Sequence, residues 1–118
     1  KFNGGELIYI QIATQLEEAI FTGVFSEGEQ IPSTTEISRD FHINPATVLK
    51  GMNILVEAGL IEKRRGIGMF VANGAQTKLT GVRREQFYKN YVERMISEAK
   101  KLGISKGLLQ KMNEKGWK

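Results

Sequence analysis

The sequence predicts an α+β fold that is mainly α: three helices and a β-hairpin, followed by a two-helix C-terminal segment. Three observations predict it. Two helix-start signals, at Ser33 and at Asn44-Pro45, open helices separated by little more than His42 and Ile43. A glycine-punctuated break, Gly66-Ile67-Gly68, divides two short strand-like runs. Tyr88, Val92, Met95, Ala99 and Leu102 recur at spacings of four and three, the repeat of a helix–helix seam.

The first helix is predicted over residues 7–22, where Ile8, Ile12, Leu16 and Ile20 share one face and Gly23 supplies the stop. Gly28 and Pro32 punctuate the turn that follows. Ser33 and Glu36 have capping-box spacing, so the second helix begins there, with Ile37 and Phe41 facing the core. Asn44 is a good N-cap, and Pro45 fills the first helical position, where a missing N–H is harmless. Ile43 and Val48 have hydrophobic-staple spacing. This third helix runs to about residue 58 and stops at Gly59. Val48, Met52 and Leu55 form its buried stripe; Thr47, Lys50, Ile54 and Glu57 lie opposite. Strands are predicted over 61–65 and 69–71, with Gly66 and Gly68 supplying permissive backbone between them. Residues 72–81 have the composition of a linker. The expected organisation is therefore residues 1–74 as one domain, 75–81 as linker, and 82–118 as a short helical segment. In that segment Gly103 interrupts the seam, Ser105 caps a second helix, and Leu108, Leu109 and Met112 give it an apolar stripe.

Composition narrows the function. The chain has 118 residues, 41% hydrophobic and 25% charged, ordinary for a soluble globular protein. No apolar run reaches membrane-spanning length, and the N-terminus lacks the pattern of a signal peptide. There is no cysteine, hence no disulfide, thiolate zinc site or thiol nucleophile. A cytoplasmic protein is expected. His42, the single histidine, sits in the inter-helix turn without metal-ligating or triad neighbours. With no phosphate-binding glycine loop either, neither an enzyme nor a cofactor is expected. The net charge of +4 is unevenly spread: −4 over residues 1–30, +1 over 31–76 and +7 over 77–118.

Two helices joined by a tight turn place the second where its N-terminal residues can enter a major groove. Asn44, Pro45, Ala46, Thr47 and Lys50 stand at that entering end. Thr47 can hydrogen-bond a base or phosphate, and Lys50 can reach guanine acceptors. Ser33, Thr34 and Thr35 open the preceding helix, where hydroxyls and free N–H groups suit phosphate. Lys63, Arg64 and Arg65 lead into Gly66 and Gly68, so the hairpin can lie along the DNA as a wing. The pattern is a winged helix-turn-helix, and double-stranded DNA is the expected partner.

Four blocks in order, Ile31-Pro32-Ser33-Thr34-Thr35-Glu36-Ile37-Ser38, Ile43-Asn44-Pro45-Ala46-Thr47-Val48, Glu57-Ala58-Gly59-Leu60-Ile61-Glu62 and Arg65-Gly66-Ile67-Gly68-Met69-Phe70-Val71, closely resemble the N-terminal winged domain of GntR-family regulators. The short tail and the Asn44-Pro45 pair resemble the YtrA-like subfamily. The resemblance implies a small helical segment that mediates dimerisation, and repression of transporter-type operons. Where the family often carries arginine this chain has Thr35, Pro45 and Leu49, so base readout falls to Lys50, Thr47 and the wing. The seam of Tyr88, Val92, Met95, Ala99 and Leu102 is expected to join a homodimer on a palindromic operator, since an isolated amphipathic helix has few partners in its own chain. Two rival readings are a winged-helix protein-interaction module, suggested by the modest charge of residues 31–76, and a small-molecule-gated sensor with an unknown effector. Tyr88, Tyr91 and Trp117 fit core or dimer packing better than an effector pocket.

Overall fold

The computed structural model describes residues 7–118. The expected domain start at residue 1 and the expected lack of a leader fall on residues 1–6, outside the described residues. The chain divides into two units, residues 1–80 and 81–118.

The first unit contains α1 (Ile8–Phe21), β1 (Gln30–Ile31), α2 (Thr34–Phe41), α3 (Pro45–Glu57), β2 (Ile61–Arg64), β3 (Gly68–Val71) and the start of α4 (Ala75–Phe87). The sheet is antiparallel in the order β1-β3-β2, with Arg64 opposite Gly68 at the hairpin end. Ile12, Ile20, Ile31, Val48, Met52, Leu55, Leu60, Ile61 and Val71 form the core. The α3 stripe of Val48, Met52 and Leu55 is buried as its spacing predicts. On α1 only Ile12 and Ile20 of the predicted four are buried, while Leu16 packs partly and Ile8 stays exposed. Phe41, expected in the core, is exposed too, because α2 turns only Ile37 fully inward.

Helix α1 lies close against α3. A methyl group at Gly51 would lie 2.7 Å from the Tyr9 carbonyl oxygen and 3.1 Å from Ile12 Cγ2. Glycine is required there for close packing rather than for an unusual backbone angle. The C-terminal ends of α1 and α3 run into glycines with positive φ, Gly23 and Gly59. Gly59 adopts φ +77°, and the N–H groups of Gly59 and Leu60 donate to the Val56 and Leu55 carbonyls.

Residues 75–81, read as linker from their composition, are helical instead. Ala75 and Leu79 are buried and belong to the core. The Glu27 carboxylate accepts from the N–H groups of Gly74 and Gln76 at 2.9 and 3.1 Å, closing the N-terminal end of α4. Gln76 Nε2 donates to the Phe21 carbonyl at 3.1 Å, and Lys78 Nζ to the Ala58 carbonyl at 3.3 Å. The first turns of α4 thus satisfy the carbonyl ends of both α1 and α3. Polar residues that resemble a linker are here caps for two helices, α1 and α3.

The second unit holds the remainder of α4, a π-helical turn at Tyr88–Val92, α5 (Glu93–Lys101) and α6 (Lys106–Trp117). Gly103 ends α5 with φ +72°, while Ile104 N–H donates to the Ala99 carbonyl at 2.9 Å. Ser105 Oγ then accepts from Leu108 N–H at 3.1 Å and starts α6. No described helix is long and apolar enough to cross a membrane.

Three stability outcomes follow. Gly51→Ala destabilises the protein by about 1–3 kcal/mol through overpacking against α1 backbone. Gly81→Ala, on a helix with open space around it, stabilises by roughly 0.5–1 kcal/mol because alanine favours helix. Urea titrations of the two variants must move in opposite directions. Glu27→Ala removes the α4 cap and lowers stability by about 1 kcal/mol, read in the same titration.

Candidate nucleic-acid interface

The α2 N-terminus forms a complete capping box. Ser33 Oγ accepts from Glu36 N–H at 3.0 Å, and Glu36 Oε1 accepts from Ser33 N–H at 2.8 Å. Ser33 is therefore committed as a cap, yet its hydroxyl hydrogen can still be donated. Thr34 and Thr35 contribute first-turn N–H groups that have no carbonyl partner within the helix. Thr35 is exposed and Thr34 half-buried.

The connection between α2 and α3 is held by Ser38. Its hydroxyl donates to the Ile43 carbonyl at 2.6 Å, and Ile43 N–H returns to the Ser38 carbonyl at 3.1 Å. His42 adopts the left-handed conformation, φ 55° and ψ 48°. That conformation is uncommon outside glycine, and histidine is among the residues enriched there. The predicted structural role of His42 corresponds to this turn. Asn44 Oδ1 then accepts from Ala46 N–H at 2.8 Å, and Pro45 sits at the start of α3. Asn44, Pro45, Ala46 and Lys50 are exposed, and Thr47 is half-buried. The α3 entering end is consequently a preformed surface whose backbone is fixed by two side-chain bonds.

The cations are not equivalent. Lys50 Nζ lies 4.2 Å from the centre of the Tyr9 ring, a cation–π contact with α1. Arg64 stacks 4.0 Å above the Phe70 ring and pairs with Glu62 at 3.1 Å. Lys63 and Arg65 are exposed and make no ion pair among the described residues. The wing tip is Arg65-Gly66-Ile67, with Gly66 at φ +75° and Gly68 at φ +142°. Gln30 of β1 braces it: Nε2 donates to the Ile67 carbonyl at 3.0 Å. A side chain at position 68 would collide with that amide, at 2.5 Å. Gly68 thus serves the brace as well as the turn.

Sequence reasoning missed Tyr9, Gln30, Ser38 and Phe70. Each acts across a fold contact that no local spacing encodes, except Ser38, whose partner lies five residues away.

The predicted seam in the second unit is divided. The π-turn inserts an extra residue into the helical repeat, so spacings of four and three do not trace one straight stripe across it. Ala99, 5% exposed, is covered within its own unit. Tyr88, Met95 and Leu102 remain 51%, 43% and 71% exposed, and Val92 is half-buried. Phe87 and Tyr91 stack with centres 5.6 Å apart, adding an exposed aromatic pair beside Tyr88.

Residues 8–71 match the family described as bacterial regulatory proteins, gntR family. The HTH-type transcriptional repressor YtrA of Bacillus subtilis (strain 168) is 31% identical over 107 residues, covering 91% of this chain and 79% of that protein. The crystal structure of a GntR-family protein from Bacteroides thetaiotaomicron shares 35% identity at a TM-score of 0.73, over 92% of this chain and 94% of that one. The AraR DNA-binding domain, solved in complex with operator ORR3, shares 28% identity at a TM-score of 0.53, over 61% of this chain and 90% of its own. The match across α1 to β3, the capped turn between α2 and α3, and the braced wing lead to one assignment: the chain belongs to the GntR family of bacterial regulatory proteins and is a transcription regulator with a DNA-binding winged-helix unit.

Proposed function

We propose that this chain is a cytoplasmic, homodimeric repressor that binds a palindromic operator, and not an enzyme. The observation that carries operator binding is the α3 entrance: an exposed Asn44–Thr47 turn with its backbone fixed by Asn44 Oδ1. The braced wing supports it with two unpaired cations, Lys63 and Arg65. Relatives add support, since YtrA is named a repressor and AraR is seen on an operator. Control of a transporter-type operon rests on the subfamily resemblance alone.

The proposed division of labour follows from how each cation is held. Lys63 and Arg65 meet phosphates, together with Ser33, Thr34 and Thr35 and the first-turn N–H groups of α2. Lys50 leaves Tyr9 to reach a base edge. An exposed cation–π contact is worth about 0.5–1 kcal/mol, less than the ~1–3 kcal/mol of a good base contact. Thr47 and Ala46 supply shorter-range contacts, including to thymine methyl groups. Arg64 stiffens the wing through Phe70 and Glu62. Gly66 and Gly68 allow its tip to lie close to the DNA.

The dimer follows from a shortage of core. Among the described residues after 80, only Ala99 is buried, while Tyr88, Met95, Leu102 and Trp117 are exposed. A helical segment this small needs an outside partner for its apolar surface. A second copy doubles the number of DNA-contacting units and fits a two-fold operator.

Fluorescence anisotropy on an operator selected from genomic fragments, repeated across salt, tests the reading. Arg65→Ala weakens binding evenly across sequences and reduces the salt slope by about 0.9 per lost phosphate contact. Lys50→Ala weakens binding by about tenfold and relaxes preference at one base pair. Absence of binding at low salt favours the rival reading, a winged-helix protein-interaction module. In sedimentation, Met95→Glu gives monomers, and operator affinity falls with them. A monomer with undiminished affinity refutes the dimer requirement.

A further inference from the structure

Helix α3 has an inner and an outer side. At ~100° per residue, Val48, Gly51, Met52 and Leu55 turn inward, and all four are buried. Ala46, Leu49, Lys50 and Asn53 turn outward and are exposed. These four stand at i, i+3, i+4 and i+7, a spacing with which recognition helices present side chains to base edges. Asn53 lies ~150° from the middle of the buried stripe, as far round as Lys50 on the other flank. Its amide makes no hydrogen bond among the described residues. Leu49, one turn before it, is an apolar side chain with 48% of its surface exposed. From Ala46 to Asn53 is ~10 Å along the axis, the rise of about three base pairs. Glu57 is exposed and turns the same way one turn later. Its carboxylate is repelled by phosphates, so Asn53 is the last residue of this face suited to DNA.

We infer that Asn53 is a specificity-determining residue: its amide reads an adenine, and Leu49 beside it meets the methyl group of a neighbouring thymine. The inference rests on operator binding through α3. Chemistry selects the base. The amide presents a donor and an acceptor together. The major-groove edge of adenine presents the matching pair, the N6 amino group and N7. Guanine presents two acceptors, N7 and O6, and sets an oxygen against the amide carbonyl. A phosphate is the poorer partner, because it uses only the donor half and leaves the carbonyl unpaired. Leu49 points to the same reading. Leucine gains nothing from a phosphate, whereas the thymine methyl is the apolar group on the base edges. With Lys50 on guanine, the face calls for a guanine and an adenine within about three base pairs of each other.

The test is competition anisotropy of the full chain on the operator selected from genomic fragments, with each base pair replaced in turn. One A·T pair, within about three base pairs of the one read by Lys50, costs about tenfold when replaced by G·C. Asn53→Ala weakens binding to the parent operator about tenfold and flattens the preference at that pair alone. Its salt slope stays that of the wild type, since no phosphate contact is lost. It unfolds no earlier than the wild type, because alanine is the better helix former. Placing 7-deazaadenine at that pair removes the N7 acceptor; this weakens the wild type and leaves Asn53→Ala unchanged. Replacing the neighbouring thymine by uracil removes one methyl, which weakens the wild type about fourfold and leaves Leu49→Ala unchanged. An unaltered base-pair profile in Asn53→Ala overturns the inference. So does a uniform loss with a shallower salt slope, which marks a phosphate contact. Equal weakening of wild type and Leu49→Ala by uracil overturns the part given to Leu49. Failure of the wild type to bind any fragment overturns operator binding itself, and this inference with it.

Discussion

The winged unit depends on one close contact, α1 lying on α3 at Gly51. With a methyl position 2.7 Å from a backbone oxygen, the helices are as near as a chain without a side chain at 51 allows. That approach buries Ile12 against Val48 and Met52 in one core. It also brings Tyr9 alongside Lys50. The residue that sets the helix spacing and the residue proposed to read a base are sequence neighbours, so any shift of α3 on α1 moves both together. The outer face of α3 is thereby given its position from the inside.

Holding and freeing of cations is the second level of control. The winged segment has little net charge, so it cannot rely on bulk electrostatic attraction. It compensates by placement. Arg64 is spent on stiffening, clamped between Phe70 and Glu62. Gln30 ties β1 to the Ile67 carbonyl at the wing tip, which would lower the entropy lost in the proposed contact of Arg65 with a phosphate. Arg65 need not be ordered by the DNA if its loop is already ordered by the sheet. The same argument applies to the α2 and α3 starts, whose caps are formed before any ligand arrives.

What the sequence made legible was local chemistry. Ser33 with Glu36, Asn44 with Pro45, Gly59, Gly103 and Ser105 each act within a few residues, and each stands where its spacing predicts. The illegible parts depend on distant partners. β1 is only Gln30–Ile31 and exists because β3 lies beside it. The start of α4 offers just Ala75 and Leu79 as an apolar stripe, and its capping partners Glu27, Phe21 and Ala58 lie far back in the chain. An i, i+4 apolar pair following Asn73-Gly74 was the available signal, diluted by the polar residues around it. The π-turn has no residue signature at all, which is why a regular seam from Tyr88 to Leu102 looked continuous. Phe41 and Ile8 fail for a different reason: periodicity places a residue on a face but not at a depth.

The divided seam bears on how two copies would meet. Hydrophobic area alone favours pairing through every exposed apolar side chain of the second unit. Charge favours a narrower contact. A cleft between α5 and α6 is lined in part by Lys100 and Lys106, and ammonium groups without partners resist burial because the desolvation of each goes uncompensated. The aromatic group of Phe87, Tyr88 and Tyr91 has no such obstacle. Its rings present large apolar area with little side-chain entropy to lose, and each tyrosine hydroxyl can stay at a wet edge.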